Sequence, residues 1–454
     1  MRSAVINKSK NSVDMLSGPL VGKLIVFAMP IALTGILQQL FNSADVVICG
    51  RFVGNVALAA VGANSHIVNL FVGSFIGLSI GANVLIANYI GAGKIQKIHN
   101  VVTTSMTFAV LFGLTLMFIG LIFAKSLLSF LGTPDEIIEP ATLYLKILFI
   151  GIPFIVVYNF GTAILRSIGD TRRPLIILSI TGLLNVVLNV FFVVAFKMGV
   201  EGVAIATVIA NSISAIVVVF LLTRETSDVK YNIGEFMIVK DSLLKIMVIG
   251  IPSAIQGMVF SISNLCVQTA VNSLGTKTIA ANTAAFNIES FPYFLLSAFA
   301  SACLTFMSQN FGAENYDRCR VIVKDCLILA IAFSGSLILI IGMLPRQVLS
   351  LFTKDVEVIG IALYRIYIVC IPNWISSVYE ILSAGIRVLK HPMISAVIIM
   401  LGTVVFRFIW VLLVFPLNRT YAMLLYVYPL SWIIINVIIT IAYLRISKAM
   451  LPRM

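Results

Sequence analysis

Charge is what this sequence has least of. Only 11% of its 454 residues are Asp, Glu, Lys or Arg, against roughly 25% in a soluble globular chain. The three histidines are scattered and have no metal or triad spacing. The six cysteines (Cys49, Cys266, Cys303, Cys319, Cys326, Cys370) include no pair at metal-ligand spacing and read as free thiols. Gly91-Ala92-Gly93-Lys94 lacks the spacing of a phosphate loop. Dense basic patches are missing too, which excludes a nucleic-acid partner despite a net charge of +13. A membrane enzyme would need clustered His, Asp or Ser at a membrane face, and there is no such cluster.

What fills the space is apolar. Hydrophobic residues make up 60% of the chain, more than any soluble interior of this size would hide. A membrane-spanning helix needs roughly 20 consecutive apolar residues. Twelve such runs are present, at about 23–48, 57–88, 99–124, 138–163, 174–196, 201–223, 243–272, 278–309, 320–344, 359–384, 393–416 and 421–444. They lack the alternation of a membrane barrel. The expected fold is therefore an all-α polytopic membrane protein with twelve transmembrane helices. The first run is too long for a signal-peptide core and is expected to be retained.

Basic residues set orientation, because cytoplasmic loops carry the excess of Lys and Arg. With the N-terminus inside, 21 of the 31 basic residues fall on the inner side, among them Arg2, Lys8, Lys10 and Arg453. The other 10 fall to the outer half, among them Arg365 and Arg407. Both termini are expected in the cytoplasm, with the chain in the inner membrane of a bacterium. The organisation that follows is a cytoplasmic segment 1–22, an N-lobe 23–223 with helices 1–6, a linker 224–242, a C-lobe 243–446 with helices 7–12, and a tail 447–454.

The two halves repeat each other. Pro30, Gly35 and Asn42 recur as Pro252, Gly257 and Asn264, each shifted by 222. Gly54, Ala59-Ala60 and Gly91-Ala92 recur as Gly275, Ala280-Ala281 and Gly312-Ala313, shifted by 221. Tyr158 and Arg166 recur as Tyr379 and Arg387. Six spans per half insert both halves in one orientation, so the repeat axis runs along the membrane normal. Two pseudo-symmetric six-helix lobes with a cleft between them suit an alternating-access carrier.

Three acids sit inside spans: Asp45, Glu289 and Glu380. An intramembrane carboxylate costs roughly 3 kcal/mol or more and is a functional candidate by default. The alternative is a structural acid paired with an Arg or a backbone group. Gly35, Gln38, Asn42 and Asp45 share one helical face, as do Thr181, Asn185 and Asn189. Asn159 and Thr207 add polar groups from the fourth and sixth spans. An acid among amide and hydroxyl oxygens suits a proton or a small hard cation such as sodium, held at Asp45. Interhelical hydrogen bonding is the other reading of the Asn and Thr residues. In the second half Glu289 lies among Phe286, Phe291, Tyr293 and Phe294, with Trp374 and Tyr379 on the tenth span. Such a carboxylate among aromatic faces suits an amphipathic organic cation, and packing is the other reading of each ring. Gln38, Asn42, Asn264, Phe286, Glu289 and Tyr379 are the candidate substrate contacts.

These residues carry a resemblance. Pro30 with Gln38-Gln39, Asn42 to Asp45, Gly50-Arg51-Phe52-Val53-Gly54 and Ala57-Leu58-Ala59-Ala60-Val61-Gly62 resemble the multidrug and toxic compound extrusion family. So do Gly91-Ala92-Gly93, Arg166 to Pro174 and Gln309-Asn310-Phe311-Gly312-Ala313. The likeness covers nearly the whole chain and is nearest in style to bacterial members. It implies export of cationic drugs or toxic organic compounds in exchange for protons or sodium, by a chain that needs no cofactor and works as a monomer among membrane lipids. It places the coupling acid on Asp45, its partners on Asn159, Asn185, Asn189 and Thr207, and the acid of the tenth helix on Glu380. Some members carry a second carboxylate where Asn189 stands; another branch carries an acid on the seventh helix, a role Glu289 would take over here. A flippase for lipid-linked sugar precursors shares the twelve-helix build, but it calls for a larger and more basic cleft.

Overall fold

The computed structural model describes residues 12–452. Arg2, Lys8, Lys10 and Arg453, counted above on the inner side, lie outside the described residues. Twelve helices are long and apolar enough to cross a membrane: α1 Leu20–Val53, α2 Asn55–Gly91, α3 Ile95–Phe130, α4 Asp135–Ser167, α5 Arg172–Ala195, α6 Val200–Thr223, α7 Lys240–Asn272, α8 Thr276–Gly312, α9 Tyr316–Met343, α10 Val356–Val388, α11 Pro392–Leu417 and α12 Tyr421–Met450. They match the twelve apolar runs one for one, and the chain is an integral membrane protein. Helix is the only open-ended structure that satisfies every backbone group within one segment in hydrocarbon, so runs rich in Leu, Ile and Val become helices irrespective of modest propensity.

The chain forms two compact units. Among the described residues, unit 1 holds 12–13 with 33–250 and unit 2 holds 14–32 with 251–452. The divisions fall inside α1, after Ala32, and inside α7, after Gly250. Each lies within a few residues of a helix proline, Pro30 or Pro252, where a missing backbone hydrogen bond loosens the ladder. In unit 1, α4 packs against α2, α3 and α6; in unit 2, α10 packs against α8, α9 and α12. That is the same arrangement shifted by six helices.

The repeat reaches the backbone. Gly54 and Gly275 precede α2 and α8 with φ of 116° and 97°. Gly93 and Glu314 turn out of α2 and α8 at 67° and 61°. Gly169 and Lys390 follow α4 and α10 at 93° and 66°. Arg166 donates from Nε to Thr162 O at 3.3 Å, and Arg387 donates from Nε to Ser383 O at 3.4 Å. In unit 1 the start of α7 lies so close to α2 that a Cβ on Gly81 would meet Ile246 O at 2.2 Å. A Cβ on Gly250 would meet Leu78 O at 2.8 Å. Only glycine permits that approach.

Several helices are interrupted by wider π turns, at Cys49–Val53, Phe191–Ala195, Ile366–Cys370, Leu401–Val405 and Trp410–Val414. The tenth run, expected as one continuous span, is instead α-helical to Arg365, then π, then a 3-10 turn Ile371–Ile375 around Pro372, then α-helical again from Ser376. Proline has no N–H for the regular ladder. The segment after α6, expected as a plain linker, is tied to unit 1. Arg173 donates to Glu225 at 2.6 Å, Val239 N donates to Thr104 Oγ1 at 3.1 Å, and Tyr231 is buried.

Candidate functional site

Unit 1 encloses a cavity of about 260 Å³. The polar stripe of α1 forms one wall through Gln38, Asn42 and Asp45; α4 gives Tyr144 and Asn159, α5 gives Thr181 and Asn185, and α6 gives Thr207 and Ser214. Phe41, Phe71, Phe75 and Phe149 supply the apolar surface, with Phe71 edge-on to Phe149 at 5.6 Å between centroids. The helical spacing read from the sequence explains the convergence, since residues three, four and seven apart share a face.

Asp45 is the only acid lining this cavity. Asn189 donates from Nδ2 to Asp45 Oδ1. Asn185 stands between acid and hydroxyl, its amide nitrogen 2.8 Å from Asp45 Oδ1 and its oxygen 3.3 Å from Thr207 Oγ1. An ionised carboxylate only accepts, so both amides present nitrogen to it. Asn189 Oδ1, fully buried, has no hydrogen-bond partner among the described residues. A spare acceptor beside an acid is a place for a proton or a cation. Thr181 and Ser214 pair at 2.9 Å, while Asn159 lines the cavity and donates back to Ile155 O of its own helix at 2.9 Å. Asn189, the one predicted partner outside the lining, meets the site through Asp45 and Asn185. Among the described residues no group of three or more His, Cys, Asp or Glu could hold a metal ion.

Unit 2 is built differently. Arg365 donates from Nε to Glu289 Oε2 at 2.8 Å and from Nη1 to Asn282 Oδ1 at 2.8 Å. Tyr421 donates to the same Asn282 oxygen at 2.9 Å. The guanidinium lies over Phe286 at 5.3 Å and Tyr428 at 5.0 Å. The cation expected over these rings is thus supplied by the chain itself. Arg407, on α11, donates from Nη1 to Ser263 and Asn264 of α7 at 3.3 and 3.4 Å. Arg365 and Arg407 were expected in the outer half; both side chains are fully buried. Their sequence signal was position: each stands inside an apolar run, where a topology count reads it only as a marker of one side. Tyr379 is buried in the core, and Glu380 is half-buried on α10 outside the Glu289 network.

Two repeated six-helix sets, one holding an intramembrane acid in a polar cavity, are the build of a membrane transporter. The MatE family matches the chain twice, over residues 30–191 and 252–413. The chain belongs to the MatE family, whose members are multidrug efflux transporters and not enzymes. It is 28% identical over 344 residues to a Bacillus subtilis protein named "Probable multidrug resistance protein YoeA", covering 74% of each chain. It is 26% identical to "Probable multidrug resistance protein NorM" of Thermotoga maritima, over 80% of this chain and 79% of that one. A solved outward-facing multidrug resistance MATE transporter shares its fold with a TM-score of 0.88 at 22% identity, over 97% of this chain and 100% of that chain.

Proposed function

We propose that the chain is a bacterial inner-membrane antiporter, with both termini cytoplasmic, that exports cationic amphipathic compounds in exchange for inward protons by alternating access of its two lobes. The observation that carries this reading is one acid, Asp45, sharing a cavity with amides, hydroxyls and phenyl rings. An ionised Asp45 pairs with an organic cation whose apolar body rests on Phe71, Phe75 and Phe149. A protonated Asp45 has no charge to offer, and the cation leaves. Asn185 suits both states: its nitrogen serves the carboxylate, and its oxygen accepts from the carboxylic acid once the amide turns over. The inward ion gradient drives the cycle, with about 2.3 kcal/mol per charge per 100 mV from the potential alone. A single carboxylate among neutral amides favours the proton over sodium. The protein is read as a monomer that needs no cofactor.

The test is efflux of a cationic dye from cells, with and without sodium, for the native chain and Asp45→Asn. Loss of efflux in Asp45→Asn at unchanged expression, with no sodium dependence in the native chain, is the expected result. Undiminished efflux by the variant would sink the scheme, and dependence on sodium would move the coupling ion.

A further inference from the structure

The structure assigns to unit 2 a binding site for the carboxylate of an amphipathic organic anion, centred on Arg407. Three observations carry it. The first is unmet donors. Arg407 is fully buried, and its Nε and Nη2 have no hydrogen-bond partner among the described residues. These two nitrogens share one edge of the guanidinium, with parallel N–H bonds spaced for the two oxygens of a carboxylate. Nη1 on the other side is already held by Ser263 and Asn264, so the side chain is fixed with the Nε–Nη2 edge unpaired.

The second observation is charge. Arg365 and Arg407 both lie over the Tyr428 ring, at 5.0 and 4.4 Å. The one carboxylate in this cluster, Glu289, is hydrogen-bonded to Arg365. The cluster therefore holds two guanidiniums against one acid. An unbalanced charge inside a membrane helix is costly, and cation–π contact offsets it only in part. A ligand that brings a negative charge completes the balance.

The third is the backbone. Arg407 sits on a short α-helical stretch, Phe406–Ile409, bracketed by the π turns Leu401–Val405 and Trp410–Val414. Such turns re-aim side chains and concentrate at functional sites. Apolar surface adjoins: Phe260 lies 5.9 Å from the guanidinium and stacks with Tyr293 at 6.2 Å. Phe260 and Asn264 are half-buried, so the cluster reaches the accessible surface of the unit there. Fork, charge and rings together select an aryl or alkyl carboxylate.

This inference is independent of the role proposed for Asp45, because it concerns binding and not efflux. The test uses the full chain in phosphatidylcholine nanodiscs and two probes with one ring system, naphthalene carboxylate and naphthylmethylammonium. Equilibrium dialysis of the native protein is expected to show carboxylate binding that Arg407→Gln weakens at least about tenfold. Arg407→Lys, which keeps the charge and loses the fork, is expected to lie between the two. Binding of the ammonium probe stays unchanged in both variants. The carboxylate also raises the melting temperature of the native protein and leaves that of Arg407→Met where it was. Absence of carboxylate binding to the native protein overturns the assignment, as does equal affinity in Arg407→Gln. Should the variants fail to assemble, the native protein decides alone: stabilisation by the carboxylate that saturating ammonium probe does not remove supports the site, and no stabilisation by the carboxylate, or one that the ammonium abolishes, overturns it.

Discussion

Unit 1 and unit 2 repeat one backbone and place groups of opposite charge at one matching helix contact. In unit 1, α1 and α5 meet through Asp45 and Asn189. In unit 2 their repeat partners α7 and α11 meet through Asn264 and Arg407. The first pairing leaves a negative group facing amides, the second a positive group facing an amide and a hydroxyl. The turns at residues 54, 93 and 169 keep their left-handed backbone at 275, 314 and 390, so duplication preserved the path of the chain while the polar groups changed sign. Function follows those groups and not the fold.

The sharpest way to break the comparison is Glu289→Gln. If Glu289 balances Arg365, the variant strands a buried guanidinium and destabilises unit 2 by about 3–5 kcal/mol. The double variant Glu289→Leu with Arg365→Met should melt close to the native protein, since an apolar replacement of a whole buried pair is often neutral. Thermal melting of the purified protein decides. Loss of efflux at unchanged melting would instead make Glu289 a coupling acid like Asp45. A smaller effect is expected for Gly182→Ala in unit 1. A Cβ there would meet the Phe41 ring at 2.0 Å, and such overpacking costs about 1–3 kcal/mol. Because Phe41 lines the cavity, efflux of bulky dyes should fall more than that of small ones; equal rates for both would detach Phe41 from the site. The smallest effect concerns the segment tying α6 to α7. Asn232 donates to Glu235 at 2.8 Å and His99 meets it at 2.5 Å. These hydrogen bonds hold its carboxyl below the usual glutamate range. A lowered value in the folded state means that the tie is present above the ordinary glutamate pKa and is lost as pH falls through the lowered one. Amide protection of residues 224–239, relative to the intrinsic exchange rate at each pH, should fall only in acid, and Glu235→Gln should lower it at neutral pH. Protection that does not change with pH in the native protein would remove Glu235 from that role.

Much of this was legible in the sequence, for physical reasons. Membrane helices advertise themselves by length and hydropathy, so all twelve were readable. The unit 1 site was readable because Gln38, Asn42 and Asp45, like Thr181 and Asn185, are polar residues at helical spacing where lipid would not tolerate them. The unit 2 cluster was half hidden. Glu289 stood out as an acid in an apolar run, but Arg365 and Arg407 were assigned to the outer half by a rule that treats basic residues as loop markers. The break in α10 was signalled by Pro372, although a proline alone does not say whether a helix kinks or changes its winding. Contacts between distant helices, such as Arg365 with Glu289, leave no local pattern at all.

The divisions inside α1 and α7 bear on how the chain is made. Residues 14–32, made before the helices they pack with, belong with the rest of α7 and the last five helices, and residues 240–250 belong with helices completed earlier. Neither half is therefore finished when its own six helices have been inserted. Unit 1 waits for the start of α7, and the beginning of α1 waits for nearly everything that follows. Cutting the chain in the segment between α6 and α7 would release two fragments that each carry a piece of the other's core, so co-expression, and not either fragment alone, is what would restore a folded protein.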